Sequence, residues 1–222
     1  MPLAAPFTRI KAVVFDFDGT LARLTLDFAV LNETVHQAVL EVFPAAPAFA
    51  PPALEWVAAC LRMVAPEQPG LAALINRRAE EALTAVEVAA AEKGELFPHT
   101  RPLLTRLQQE GAAAGVITRN CRAAVLTVFP DLEAFCPLLA REDVAKTKPD
   151  PAHLLRMLEI LGVAPQDSLM VGDHPMDILT GQRAGTMTAG VTCGHCAYDR
   201  LKAAGPDEIL EHCGRLVLPS LS

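Results

Sequence analysis

The chain has 222 residues, a length that fits one large domain or two small ones. Its 19 Lys+Arg against 26 Asp+Glu give a formal net charge of −7, which disfavours binding to nucleic acid or to an anionic membrane through the general surface. Hydrophobic residues make up 51% of the chain, which is enough for a packed core and far from the composition of a disordered protein.

No part of the chain has the pattern of a membrane span or a secretory signal. The mean hydropathy is +0.28, but no run approaches the roughly 18 apolar residues that a spanning helix needs. The segment Met1–Lys11 contains two prolines and lacks an apolar signal core, so we expect a cytoplasmic protein with no membrane partner. The six cysteines are spread along the chain, which is typical of reduced thiols.

Short apolar runs alternate with helical patterns along most of the chain. The predicted strands are Ala12–Phe15, Ala114–Thr118, Pro137–Ala140, Ser168–Gly172 and Met187–Val191, with Arg215–Leu218 as a weaker last one. The predicted helices are Arg101–Glu110, Arg122–Phe129, Pro151–Leu161 and Pro175–Ala184. This alternation predicts an α/β fold, a Rossmann-like parallel sheet with helices on both faces.

The segment from Thr25 to Glu95 breaks this alternation because it has no strand pattern. It contains a helical stripe, a proline-rich connector (Pro44–Pro52) and two further helical stretches. We therefore predict a helical domain of residues 25–95, inserted into an α/β core domain of residues 1–24 and 96–222.

Two carboxylates follow the first predicted strand. Asp16 and Asp18 stand at its carboxyl end, where open α/β sheets bind ligands. Two aspartates one residue apart can share a hard cation, or act as a nucleophile and a proton carrier. The alternative is a turn in which Asp and Gly only end the strand.

Later strand ends and loops carry the other candidates. Thr118 and Asn120 can cradle a phosphate or cap the next helix. Lys148 lies in a loop fixed by prolines, where it either neutralises a phosphoryl oxygen or faces solvent. Asp173 can complete a magnesium site, and Asp177 can orient a lysine or a bound water. The alternative is that the two serve as a helix cap and a first-turn acid.

Together these residues resemble, in order, spacing and context, the four motifs of the haloacid dehalogenase superfamily of phosphohydrolases. The resemblance covers about Ile10 to Val191. The inserted helices are similar to the cap of the subgroup that includes phosphoglycolate phosphatase.

The resemblance implies a phosphatase that uses Mg²⁺ and acts on a small phosphorylated metabolite, as a monomer or homodimer. Asp16 would attack the phosphorus and form an aspartyl-phosphate, while Asp18 would transfer protons. The other implied roles are magnesium binding by Asp16, the Asp18 backbone carbonyl and Asp173, phosphoryl or substrate binding by Thr118, Asn120 and Lys148, and support from Asp177.

Other functions remain open at this point. A phosphosugar mutase uses the same core chemistry, and a protein without catalytic activity can bind a phosphorylated ligand or a partner on this fold. The sequence Cys193-Gly194-His195-Cys196 also suggests a redox or zinc site. The resemblance, however, places this segment in a loop away from the substrate.

Overall fold

The computed structural model describes residues 10–218. The N-terminal segment Met1–Lys11 therefore lies outside the described residues, apart from its last two positions. Within residues 10–218, no helix is long and apolar enough to cross a bilayer.

Within residues 10–218, eight strands form two sheets. The strands are β1 (Ala12–Phe15), β2 (Ala22–Arg23), β3 (Glu95–Leu96), β4 (Ala113–Ile117), β5 (Leu138–Leu139), β6 (Ser168–Gly172), β7 (Met187–Val191) and β8 (Glu208–Leu210). Six of them pair in parallel in the order β5-β4-β1-β6-β7-β8, while β2 pairs antiparallel with β3. The predicted Rossmann-like parallel sheet is confirmed.

In the described part of the chain, eight α-helices connect or flank these strands. They are α1 (Phe28–Leu40), α2 (Ala53–Val64), α3 (Pro69–Ala91), α4 (Thr100–Gln109), α5 (Arg122–Val128), α6 (Pro151–Leu161), α7 (Pro175–Ala184) and α8 (Tyr198–Ala203). Both α6 and α7 begin with proline and end at a glycine in the left-handed conformation, as their sequence pattern predicts.

Strand β1 is buried on both faces. Val14 packs in a cluster with Leu154 and Met157 of α6, which covers one face of the sheet. Val13 and Phe15 point to the opposite face and are also completely buried, so that face is covered as well. A central strand of this kind reads as a continuous apolar run, which is why its bounds could be predicted from the sequence.

The last predicted strand is wrong. Residues 215–218 form no strand, and the final strand of the sheet is β8, which pairs with β7. Leu216 and Leu218 are buried, but the Leu216 carbonyl accepts a hydrogen bond from the Arg106 guanidinium instead of a strand partner. The apolar run therefore reflects side-chain burial without strand pairing.

The chain divides into two compact units. Among the described residues, one joins residues 10–24 with residues 94–218, and the other is Thr25–Lys93. Glu95, which the sequence assigned to the inserted segment, lies in β3 of the first unit.

The Thr25–Lys93 unit consists of α1, α2 and α3 around its own apolar core. Val35, Cys60 and Ile75, one from each helix, are completely buried in that core. The proline-rich connector is tied to α2, because the Trp56 indole N–H donates to the Pro47 carbonyl at 3.2 Å.

Candidate active site

The predicted site residues meet at one edge of the parallel sheet. Asp16, Thr118 and Asp173 directly follow β1, β4 and β6, and these strands are adjacent in the sheet. Parallel strands end on the same edge, so each chain turn there contributes side chains to one region.

Lys148 joins two of the carboxylates. Its Nζ lies 2.7 Å from Oδ1 of Asp16 and 2.6 Å from Oδ1 of Asp177. The Lys148 side chain is only 3% exposed, so it does not face solvent. Oxygen atoms of Asp16, Asp173 and Asp177 all lie within 4.8 Å of one another.

The carboxylates of this cluster hold protons more strongly than ordinary aspartates. Burial, followed by repulsion from Asp177, raises the pKa of Asp16 to about 7, although Lys148 opposes the rise. Burial and the charge of Asp16 raise the pKa of Asp173 to about 6. Burial lowers the pKa of Lys148, but attraction to the two carboxylates outweighs it and raises that pKa overall, so the ammonium stays charged.

His153 supports the loop that carries Lys148. Its Nδ1 accepts the Lys148 backbone N–H at 3.4 Å, and its Nε2 lies 3.1 Å from the Leu139 carbonyl. These partners suit a neutral ring with its proton on Nε2. Burial and the nearby Lys148 charge lower the pKa of His153 to about 4, which keeps the ring neutral. The sequence analysis missed this residue, since nothing in the pattern of α6 marks it.

The loop after β1 orients both of its aspartates. The Phe17 N–H donates to Oδ1 of Asp16 at 2.7 Å, and the Leu24 N–H donates to Oδ1 of Asp18 at 3.0 Å. Between them Gly19 has φ 77°, and a Cβ there would overlap the Asp173 carboxylate. Glycine is therefore required at this position by both backbone conformation and space.

The loop after β7 also reaches this edge of the sheet and contacts two of the candidate aspartates, although the resemblance places it away from the substrate. The His195 N–H donates to Oδ2 of Asp173 at 2.8 Å, and His195 Nε2 lies 3.2 Å from Oδ1 of Asp18. The hydrogen bond to Asp18 raises the pKa of His195. Because β7 is the next parallel strand after β6, its following loop opens on the same edge. That strand order was the signal from which His195 could have been found.

Asp177 bonds to the start of α7 as well as to Lys148. Its Oδ2 accepts the His174 N–H at 3.1 Å, while His174 Nδ1 accepts the Met176 N–H at 3.1 Å. His174 is thus the N-cap of α7, and Asp173 is not. Asp177 therefore ties the start of α7 to Lys148.

Thr118 and Asn120 lie at the carboxyl end of β4, and neither caps α5. The Thr118 hydroxyl accepts the Asn120 N–H at 3.1 Å, and the N-cap of α5 is Cys121. The Asn120 carbonyl accepts the Arg141 N–H at 3.2 Å. The turn after β4 is thereby fixed from both sides.

Cys193 and Cys213 do not have the environment of a redox or zinc site. Burial raises the pKa of the Cys193 thiol to about 11, and that of Cys213 is also raised by burial. Both thiols lie against carbonyls of the β1 loop, on Gly19 and Thr20 respectively. Among residues 10–218, the only three-residue group with metal-ligand distances is the aspartate cluster.

The aspartate cluster fits Mg²⁺. Its three carboxylates and the Lys148 ammonium carry three negative charges and one positive charge when ionised, so their net charge is −2. A divalent cation balances this charge, and carboxylate oxygens are the ligands that Mg²⁺ prefers. Burial is the main cause of the raised pKa values of Asp16 and Asp173, and repulsion from a neighbouring carboxylate adds to it in both cases.

Comparison with known proteins gives a consistent set of relatives. The sequence pattern of the haloacid dehalogenase-like hydrolase family matches residues 10–185. The phosphoglycolate phosphatase of Escherichia coli K12 is 34% identical over 135 residues, which cover 59% of this chain and 53% of that protein. The match thus spans about half the length of that relative. The phosphoglycolate phosphatase of Pseudomonas putida is 29% identical over 226 residues, covering 96% of this chain and 80% of that protein.

Solved structures have the same fold. A haloacid dehalogenase-like hydrolase from Bacteroides fragilis superposes with a TM-score of 0.64 at 24% identity. That superposition covers 94% of this chain and all of the other.

Proposed function

The chain belongs to the haloacid dehalogenase-like hydrolase family, and on that basis we propose that it is a magnesium-dependent phosphatase that hydrolyses a small phosphorylated metabolite. The observation that carries the proposal is the cluster of Asp16, Asp173, Asp177 and Lys148 at the carboxyl edge of the sheet. A phosphoryl group needs positioning and charge neutralisation, and such a cluster provides both.

Asp16 is the proposed nucleophile. Its Oδ1 accepts hydrogen bonds from the Phe17 N–H and from Lys148, which fixes the carboxylate and leaves Oδ2 to attack the phosphorus. The Asp16 side chain is 14% exposed, whereas those of Lys148 and Asp177 are 3% and 1% exposed. Asp16 is therefore the most exposed of these three groups, which suits the one that attacks the substrate.

Lys148 and the turn after β4 are proposed to hold the phosphoryl oxygens. An ammonium group has three N–H donors, and Asp16 and Asp177 take two of those on Lys148. The third is available for a phosphoryl oxygen. The Thr118 hydroxyl and Asn120 provide further polar groups at the end of the neighbouring strand.

Mg²⁺, when bound, neutralises negative charge and polarises the phosphoryl group. Asp16, Asp173 and the Asp18 backbone carbonyl would hold it, with Asp177 in support. Asp18 is proposed to give a proton to the leaving-group oxygen and to take one from the water that hydrolyses the aspartyl-phosphate.

We assign the helical unit Thr25–Lys93 the role of a cap domain. In that role it sets the substrate preference of the enzyme. Two relatives described above are phosphoglycolate phosphatases, so 2-phosphoglycolate is the first substrate to test.

The test is a panel of phosphorylated metabolites, assayed for release of inorganic phosphate with and without Mg²⁺. We expect at least one substrate to be hydrolysed, and we expect chelation or Asp16→Asn to lower turnover by about a thousandfold or more. Asp131→Asn is the matched control, because Asp131 is an exposed surface partner of Arg101. A mutase would return the phosphoryl group to substrate instead of releasing phosphate.

Unchanged turnover in Asp16→Asn would contradict the proposed nucleophile. Unchanged turnover after chelation would contradict the proposed magnesium dependence. Binding of a phosphorylated ligand without turnover would favour a non-catalytic function.

A further inference from the structure

The loop after β7 carries a histidine that contacts the proposed proton carrier. We propose that His195 is a positioning residue, which holds Oδ1 of Asp18 so that the transferred proton travels through Oδ2. This inference rests on the proposed phosphatase function and adds a residue to it.

Two donors meet the same oxygen of Asp18. His195 Nε2 lies 3.2 Å from Oδ1, and the Leu24 N–H donates to that oxygen at 3.0 Å. An ionised carboxylate only accepts hydrogen bonds, so the imidazole donates from Nε2. This arrangement is available to the imidazolium and to the neutral tautomer with its proton on Nε2.

The position of the proton follows from this arrangement. Because Oδ1 already accepts two hydrogen bonds, a proton on the Asp18 carboxyl group resides on Oδ2. In the first step the bond between phosphorus and the leaving-group oxygen breaks as the bond from Asp16 forms, and Oδ2–H protonates that leaving oxygen. In the second step the water oxygen bonds to phosphorus as the bond between phosphorus and Asp16 breaks, and Oδ2 takes a proton from that water. This step releases phosphate and restores both the Asp16 carboxylate and the protonated Asp18.

The backbone of the same loop is anchored independently of the imidazole. The His195 N–H donates to Oδ2 of Asp173 at 2.8 Å, and a Cβ on Gly194 would overlap that carboxylate. The Cys193 thiol lies 3.4 Å from the Gly19 carbonyl. The loop is therefore held against both Asp173 and the β1 loop, which places the imidazole beside Asp18.

His195 is not a core histidine whose contact merely fills space. Its side chain is 55% exposed, whereas that of Asp18 is 20% exposed. The half-exposed imidazole of His195, which contacts the Asp18 carboxylate, therefore contributes little to packing. Its effect is expected mainly on the chemistry that Asp18 performs.

The test compares two leaving groups in wild type, His195→Ala and His195→Gln. The alkoxide that leaves an alkyl phosphate must be protonated by the enzyme, whereas 4-nitrophenolate leaves as a stable anion without a proton. The quantity compared is kcat/KM, which covers the steps up to the first irreversible bond cleavage. We expect His195→Ala to lower kcat/KM about tenfold or more for the alkyl phosphate but less than about threefold for 4-nitrophenyl phosphate.

The conservative variant and a neighbouring control sharpen the test. Gln carries a side-chain N–H donor, so His195→Gln should recover most of the activity on the alkyl phosphate. Cys196→Ala removes the next side chain in the same loop, whose thiol lies against the Ala197 carbonyl, and should behave as wild type. Thermal unfolding of each variant checks that the fold is retained.

A spectroscopic measurement tests the contact without activity. In the metal-free protein, the imidazole nitrogen resonances of His195, assigned by their loss in His195→Gln, should shift when Asp18 is replaced by Ala. Resonances that stay in place would overturn the contact and the proposal with it.

The kinetic outcomes separate this inference from the proposed function. Equal losses on both substrates, no loss on either, or failure of His195→Gln to recover activity would overturn the role of His195 while leaving the phosphatase function intact. A wild-type protein that hydrolyses neither ester would overturn the proposed function, and the role of His195 with it.

Discussion

At the scale of single residues, Asp173 is expected to reduce the stability of the metal-free protein. Burial and the Asp16 charge raise its pKa from 3.8 to about 6, so between these pH values the folded state binds the proton more strongly than the unfolded chain does. The contribution of Asp173 to the free energy of unfolding therefore falls as pH rises, by about 3 kcal/mol in total. We predict that metal-free Asp173→Asn is more stable than wild type above pH 7, and that the advantage disappears below pH 4.

Urea unfolding across a pH series with a chelator present measures this effect. His153, whose pKa is lowered to about 4, makes stability fall as pH decreases from about 6.5, but wild type and variant share that effect. With saturating Mg²⁺ wild type should become the more stable protein. The variant lacks a carboxylate that is proposed to bind the cation, and cation binding stabilises the folded state. A wild type that is the more stable protein without metal at pH 8 would contradict the prediction.

Which site residues could be predicted from the sequence depends on where their partners lie. Asp16 and Asp173 follow apolar strands directly, so local sequence marks their position. The local sequence around Lys148 does not predict its burial, because that burial depends on two carboxylates far away in the chain. His195 and His153 were missed, since their roles arise from the strand order and from backbone groups that only the folded chain brings together.

At the scale of secondary-structure elements, the packing of β4 against α6 depends on a glycine. A Cβ on Gly115 would lie 2.6 Å from Sδ and 2.9 Å from Cγ of Met157, which is completely buried. We predict that Gly115→Ala destabilises the protein by about 1–3 kcal/mol through overpacking. Met157→Ala alone should cost about 2–5 kcal/mol through a cavity.

The double variant tests this contact directly. Because the new Cβ occupies part of the space that Met157 vacates, the combined loss should be smaller than the sum of the two single losses by about 1 kcal/mol or more. Urea unfolding of the four proteins measures the difference. Strictly additive losses would show that the two positions do not share this space.

The strands whose bounds the sequence predicted correctly are buried along nearly their whole length. Strands β1, β6 and β7 have the predicted bounds, because each is mostly apolar and has at most one residue that is not buried. Strands β2 and β3 have two residues each, and no local pattern can predict them because their pairing joins distant parts of the chain. Strand β8 is half-buried at the sheet edge, so its apolar signal is weak.

At the scale of the whole molecule, the β2–β3 pair is the point at which the helical unit leaves and re-enters the chain of the first unit. Arg23 pairs with Glu95 in antiparallel register, so the two connections lie side by side. We predict that the first unit folds when residues 25–93 are replaced by Asn-Gly, because joining Leu24 to Gly94 in this way converts the pair into a hairpin. Thermal unfolding followed by circular dichroism should remain cooperative.

The effect of Mg²⁺ on the shortened protein is a second measurement. The aspartate cluster lies entirely within the first unit, so Mg²⁺ should still raise the unfolding temperature of the shortened protein. A shortened protein that is unfolded at room temperature would show that the first unit depends on the helices for its stability.

The antiparallel β2–β3 pair has a consequence for how such a protein can diversify. Paired strands lie about 5 Å apart, so any folded insert whose two ends have that separation can be grafted there. The graft keeps the Leu24 N–H that donates to Asp18, because Leu24 precedes the exchanged residues. Under the role proposed for the helical unit, substrate preference can change by exchange of one contiguous stretch of the gene, while the residues of the aspartate cluster are inherited unchanged.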